Sequence, residues 1–223
     1  MAAKKVLIFS KTAGYRHTSI PFSVAAITED LARTNLFDVT ASEDAEAFFT
    51  DSGLSQFKVV VLLQTTGDFL TDDQIDVLQR YVRNGGGVFA IHGAAAGMLS
   101  SEWYGKLIGA HFDMHPEPET GSFVEPDATH PILSGGDIPK KWNDEWYSFV
   151  SHPASNMNLD ILLRGDTTSF KGGKHGDNHP LAWCQEFENG KSAYIALGHF
   201  DEAYEEKWFM GIVRRGIMWV AGG

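Results

Sequence analysis

The chain has a single cysteine, Cys184, in 223 residues. An internal disulfide framework is therefore excluded, and so is a zinc site built from several thiolates. Positive charge is also scarce: 18 Lys and Arg stand against 29 Asp and Glu, for a formal net charge of -11. No basic run is present to displace counterions from a polyanion, which argues against nucleic acid or an anionic membrane surface as a partner. Long apolar runs are missing as well. The opening stretch MAAKKVLIFSK holds only VLIFS before a lysine, too short for a signal-peptide core or a bilayer span. The expectation is a cytoplasmic protein, with one domain over 1–223 and a hydrophobic content of 43% that supplies a substantial core. Nothing in this composition speaks against a homodimer.

What is present is an alternation of strands and helices. Val6–Ser10 (VLIFS), Phe37–Ala41 (FDVTA), Lys58–Leu63 (KVVVLL) and Val88–Ile91 read as strands, most of them apolar throughout. Between the first two, Pro21 opens a helical pattern with Phe22, Val24, Ala25, Ile27 and Leu31 apolar, and Thr18 or Ser19 is placed to cap it. In TDDQIDVLQRYVRNGGG, Thr71 and Gln74 have capping-box spacing, and Asp72 and Asp73 suit the positive end of the helix dipole. Ile75, Leu78 and Val82 form the inner stripe of that helix, and Gly85 stops it. Strands apolar on both faces and alternating with helices predict an α/β fold with a doubly wound, mostly parallel sheet. Ligands in such sheets bind outside the carboxyl ends of the strands, which puts the loop Lys11–Ser19 and the turn at His92 on one rim.

From about Gly109 prolines, glycines and aromatics dominate, and the pattern predicts loops and short strands folding over the rim. Leu159–Leu163, Leu181–Phe187 and Ser192–Leu197 read as further strands, the last two joined at Asn189-Gly190 by a type I′ hairpin turn. The C-terminal half is thus loop-rich and partly antiparallel. Tyr204–Val220 closes the chain as a helix with Trp208, Ile212 and Trp219 on one face.

The chemistry-bearing residues gather at the strand ends. In GGGVFAIHGAAAG a glycine cluster runs into a strand and then a sharp Gly/Ala turn, the layout of a nucleophile elbow, with His92 where Ser or Cys is usual. His17 lies in the loop after the first strand. His199, in YIALGHFDE, follows the last strand, with Asp201 two residues on as an orienting carboxylate. Glu145, between Trp142 and Trp146, is expected to have a raised pKa from an aromatic setting. His92, His199, Glu145 and His17 are therefore the candidate catalytic groups. Lys11, Arg16, His115, Trp146, Trp183 and Asp201 are the candidate substrate-binding ones. Several His and a Glu would also suit a divalent metal of the zinc type, although no fixed ligand spacing such as HExxH occurs.

The ordered set KTAGYRHTSIP, GGGVFAIHGAA, WYGKLIGAHFDMHP, DATHPIL, NDEWY, HPLAW and GKSAYIALGHF resembles the ThuA-like (trehalose utilisation) family nearly end to end. The resemblance implies the flavodoxin-like fold of class I glutamine amidotransferases. Against that pattern Ile91-His92 falls where the nucleophilic Cys follows its strand, and His199-Phe200-Asp201 where the catalytic His-x-Glu lies. Cys184, inside LAWCQEF, cannot replace the missing thiol, so no thioester chemistry is expected. What the family implies is a role with a small carbohydrate, in disaccharide or keto-sugar catabolism; the candidate residues themselves point to acid–base chemistry, with or without a metal. The alternatives are a sugar-binding or regulatory module without turnover and a hydrolase using Ser100 or Ser101.

Overall fold

The computed structural model describes residues 2–124, 126 and 129–222, so Asp127 and Ala128 of the DATHPIL motif lie outside the described residues. The first half alternates as its pattern predicts: β1 (Lys4–Phe9), α1 (Ile20–Arg33), β2 (Phe37–Ser42), the short turns α2 (Ala45–Phe48) and α3 (Asp51–Leu54), β3 (Val59–Leu63), α4 (Asp72–Arg83) and β4 (Gly87–Ile91). A 3-10 turn, His92–Ala96, leads to α5 (Glu102–Ile108). Short strands follow: β5 (Phe112–Met114), β6 (Glu119–Phe123), β7 (Trp142–Asp144) and β8 (Ser148–Phe149). Then come β9 (Asp160–Asp166), β10 (His179–Phe187), β11 (Gly190–Ile195), a 3-10 turn at Asp201–Glu205 and α6 (Lys207–Val220).

Nine strands form one sheet in the order β2-β1-β3-β4-β11-β10-β9-β6-β7. From β2 to β11 every junction is parallel, and from β11 to β7 every junction is antiparallel. Every residue of β3 and β4 is buried, as are Val6–Phe9 of β1, the pattern of central strands covered on both faces. α6 packs on β3, β4 and β11 and also against α1. β6 and β7 extend the sheet rather than folding over the rim, which gives their backbone groups ladder partners. β5 and β8 form a separate antiparallel pair. No helix among the described residues is long and apolar enough to cross a membrane.

The capping box at α4 is present, with Thr71 and Gln74 exchanging side-chain and backbone bonds. Three local expectations are corrected. Ser19 is the N-cap of α1, but its hydroxyl does not cap the helix: it donates to the His199 carbonyl at 2.6 Å. The C-terminal helix starts at Lys207 rather than Tyr204, because Glu206 is extended and the Tyr204 hydroxyl is tied to the Gly198 carbonyl at 3.0 Å.

The β10–β11 hairpin turns on Glu188 and Asn189, since Phe187 pairs with Gly190. Only Glu188 of the two has a positive φ, 51°, so the turn is not type I′. Gly190 is needed in the strand instead, where an added Cβ would run into the Gly86 carbonyl oxygen. Gly190→Ala is accordingly expected to destabilise the fold by about 1–3 kcal/mol, the range for overpacking a tight site. Urea denaturation measures this, and a variant as stable as the parent would show that the two backbones can separate.

Candidate functional site

The parallel strands β1, β3, β4 and β11 deliver four segments to their carboxyl ends. Gln64 directly follows β3 and His92 directly follows β4, and both buried residues have positive φ, 52° and 49°. Such backbone is costly for a non-glycine residue and persists only where surrounding contacts over-determine it. Gln64 supplies some of those contacts. Its Nε2 donates to the Gly198 carbonyl at 2.7 Å and lies 3.1 Å from the Ser19 hydroxyl and 3.0 Å from that of Tyr204. The loop after β1 is pinned across the end of β3, with Ala13 and Gly14 N–H groups donating to the Thr66 carbonyl at 2.8 and 3.1 Å. Gly67 makes that approach possible: its φ is 66°, and a Cβ there would lie 2.5 Å from the Gly14 nitrogen.

A fifth segment is brought in by Asp144, a fully buried carboxylate at the end of β7. Its oxygens accept from the backbone N–H of Glu145 (2.9 Å), Gly198 (2.9 Å) and His199 (3.2 Å), and from the Trp142 indole (3.0 Å). One carboxylate thereby fixes Glu145 beside His199.

The result is a cluster around the Glu145 carboxylate. Oε2 lies 3.3 Å from His92 Nε2 and 3.1 Å from His199 Nδ1, and those two nitrogens are 3.2 Å apart. Oε1 lies 3.5 Å from His115 Nε2. His17 meets the rings of His92 and His199 edge-on, with centroids at 4.9 and 5.1 Å. Two tautomers follow from carbonyl partners, which can only accept: His92 Nδ1–H donates to Ala196 O at 2.6 Å, and His115 Nδ1–H to Pro116 O at 2.8 Å. In each neutral ring Nε2 therefore carries a lone pair on the side of Glu145.

Burial pushes the Glu145 carboxyl upward, but the imidazoles of His199 and His92 beside it outweigh burial and hold the group well below the usual carboxylate range. This reverses the raised pKa expected from the flanking tryptophans, and the reason is that its neighbours are imidazoles. His17 is lowered to about 3, first by burial and then by the charge of His92 and His199.

Beside the cluster lies a cavity of about 440 Å³. His17, His115, Glu145 and Tyr147 form one part of its wall, and Tyr15, Phe112, Thr66, Gly67, Gly14 and Ala96 the rest. Tyr147 stacks on His115, with centroids 5.6 Å apart and planes at 20°, and its ring lies 4.3 Å from that of His92.

His17, His92, Glu145 and His199 are thus brought together, with His115 at the edge. The other candidates are not. Arg16 turns outward to Glu43, pairing at 2.7 and 3.1 Å, because that carboxylate follows β2 on the surface. Lys11 is half-buried and does not line the cavity. Trp146 is core: its ring stacks on Phe170 at 4.4 Å and its indole donates to Glu119 O at 2.9 Å. Trp183, on β10, is also core and donates to Ile108 O at 2.6 Å. Asp201 is exposed, and orientation of His199 falls to Asp144 at the backbone and Glu145 at the ring.

Sequence reasoning missed Asp144 and Gln64. Asp144 was signalled only by its place next to Glu145 in WNDEWY, and Gln64 by being the first polar residue after an apolar strand.

A second cluster, His130, Asp160 and Cys184, also has metal-like spacing. There His130 Nδ1 accepts the Ile132 N–H at 3.2 Å, which leaves the ring proton on Nε2, 3.5 Å from the thiol. Burial and Asp160 push the Cys184 thiol up to about 12. Neither group offers a ready lone pair.

The ThuA family model, described as trehalose utilisation, matches residues 5–220. No curated protein matches the chain. Among solved structures, a ThuA-like protein from Bacteroides uniformis ATCC 8492 is similar at a TM-score of 0.79 and 20% identity, over 99% of this chain and 93% of that one. One from Parabacteroides merdae ATCC 43184 reaches 0.73 and 22%, over 98% and 90%. A β-galactosidase from Bacillus circulans sp. alkalophilus reaches 0.60 at 13% identity, over 98% of this chain but 31% of that one. At these identities the structural likenesses concern the fold.

Proposed function

The chain belongs to the ThuA (trehalose utilisation) family, and on that premise we propose that its cavity takes a disaccharide or keto-sugar on which Glu145 and the imidazoles around it move a proton. The strand order of the parallel block is that of flavodoxin-like folds, in keeping with an amidotransferase-like ancestry. With an imidazole at the elbow in place of a thiol, no thioester can form, and glutaminase chemistry is not part of the reading.

The observation that carries the proposal is the position of Glu145, with Oε2 between His92 and His199 and Oε1 facing His115 at the cavity wall. A proton leaving a substrate carbon or hydroxyl would be taken up by Glu145 Oε1 or His115 Nε2 and returned through the same pair. His92 is fully buried and neither it nor His199 is among the described lining residues of the cavity, so the reading gives both the task of holding the carboxylate rather than reaching substrate.

The cavity supports a neutral sugar. Its volume of about 440 Å³ falls within the roughly 300–1,000 Å³ of small-molecule sites. Tyr15, 64% exposed, and Phe112 offer apolar faces against which the C–H face of a sugar ring can lie, while His17, His115 and Glu145 offer polar partners for its hydroxyls. No lysine or arginine is among the described lining residues, which disfavours sugar phosphates and sugar acids.

Trehalose, other disaccharides and their keto forms, added to the protein, are expected to give product from at least one and to raise its unfolding midpoint. At a ligand concentration 100 times Kd the gain would be about 2.7 kcal/mol. Stabilisation without product would instead support a non-catalytic sugar-binding module, the reading that the missing thiol favours. Neither effect from any carbohydrate would overturn both.

A further inference from the structure

The proton inventory of the cluster does not close. Glu145 Oε2, His92 Nε2 and His199 Nδ1 form a triangle with edges of 3.1, 3.2 and 3.3 Å. His92 has committed its Nδ1–H to Ala196 O, so with that ring neutral its Nε2 brings only a lone pair. The carboxylate oxygen brings only lone pairs as well. His199 Nδ1 can carry one proton, and that proton lies along one edge. Two of the three contacts are then left without a proton, and the one between His92 Nε2 and Glu145 Oε2 sets lone pairs against each other in a buried setting, where such an arrangement is costly. A ring nitrogen of His17 adds a further donor within 4.8 Å of the other three.

A cation removes the conflict, and the edges of the triangle suit one. Around an ion with bonds of about 2.0–2.1 Å, the edges of a tetrahedron are about 3.3–3.4 Å. We infer that His17, His92, His199 and Glu145 Oε2 hold a divalent cation of the zinc class.

Three imidazoles and a carboxylate, without a thiolate, form a borderline donor set. Such a set suits zinc and binds manganese or ferrous iron less tightly by the usual order of divalent affinities. The supporting contacts are those that metal sites require. His92 is locked in its tautomer by Ala196 O, and Asp144 holds the backbone of both Glu145 and His199. His17 and Glu145 line the cavity, so an ion held by the four residues would lie beside the space open to a ligand. The four residues would hold the ion, which would supply positive charge beside the cavity, and the proton would still be handled by His115 Nε2 and Glu145 Oε1. The cation does not depend on the substrate being a sugar.

The test is metal content and zinc titration of the untagged, chelator-stripped full chain, with no carbohydrate present. We expect one equivalent of zinc per chain, a higher unfolding midpoint on loading, and with cobalt the intense visible bands of a four-coordinate ion without thiolate charge transfer. Glu145→Gln, which keeps the side-chain shape, and His199→Ala should each weaken zinc binding by at least about 100-fold, the upper end of what loss of a mere supporting contact costs. Cys184→Ser should leave both stoichiometry and affinity unchanged. Failure of the parent protein to bind one equivalent would overturn the inference whatever the variants do. So would undiminished binding by a folded Glu145→Gln variant, or binding abolished by Cys184→Ser. Failure of the sugar reading would leave all these outcomes as they stand.

Discussion

Glu145→Gln is expected to lower turnover by about 10²–10⁴-fold, the usual contribution of a positioned acid–base group, with kcat falling rather than KM rising. No other carboxylate sits within 3.5 Å of three of the described imidazoles, and it presents one oxygen to His115 beside the cavity. The amide keeps the shape and can still accept on one side, but it cannot take up a proton at neutral pH, and it weakens any bound cation. Its NH₂ group would also face nitrogens whose partners at Glu145 are now acceptors. Steady-state kinetics on the carbohydrate that the screen identifies gives the split. If kcat stays at the parental value, Glu145 is neither base nor ligand, and the chemistry lies elsewhere on the rim.

The convergence of His17, His92 and His199 was legible because each follows a strand whose apolar run is unmistakable. Strand polarity in a parallel sheet then sends all three to the same edge. β3 and β4 and most of β1 are buried on both faces, so neither their assignment nor their direction depended on subtle pairing. α4 was legible for a different reason: Thr71 and Gln74 form a local cap that needs no tertiary partner.

What was not legible depends on side chains meeting across the fold. Trp146 and Trp183 have the composition of a pocket wall, yet their indole N–H groups found backbone carbonyls of Glu119 and Ile108 in the core. Glu145 was picked out, but the direction of its pKa was misread. Sequence shows its tryptophan neighbours and cannot show imidazoles arriving from positions 92, 115 and 199. Asp201 stands two residues from His199 in sequence, while the carboxylate that holds the His199 backbone, Asp144, comes from another strand. The hairpin at Glu188 failed for a related reason. Asn-Gly favours one turn locally, but the Gly86 carbonyl leaves no room for a Cβ at position 190, and the pairing of β10 with β11 followed that tertiary demand.

Acidification below pH 6.5 should destabilise the fold through a histidine that the proposed chemistry does not use. His179 is fully buried, with neither ring nitrogen in a hydrogen bond of good geometry. Its ring stands edge-on to Phe170 at 5.1 Å and lies 5.5 Å from that of His175. Burial, and then the charge of His175 with a smaller part from His152, lower its pKa from 6.5 to about 4, against weak help from the Tyr147 backbone. Above pH 6.5 the ring is neutral in both folded and unfolded chains and contributes no pH dependence. Between 6.5 and about 4 the unfolded chain binds a proton that the folded chain refuses, so stability falls through this window and levels off below it. At 1.36 kcal/mol per pKa unit the loss by pH 4 is about 3 kcal/mol. His175 is also lowered by burial and by His152, and other groups titrate over the same range, so the comparison must be internal. Urea unfolding at pH 7.5 and pH 4 should show the parent losing about 3 kcal/mol more than His179→Gln, which cannot titrate. Equal losses would mean that the folded protein admits the proton at His179 without penalty, either through water reaching the ring or through a shift of Tyr147 that completes a hydrogen bond to it.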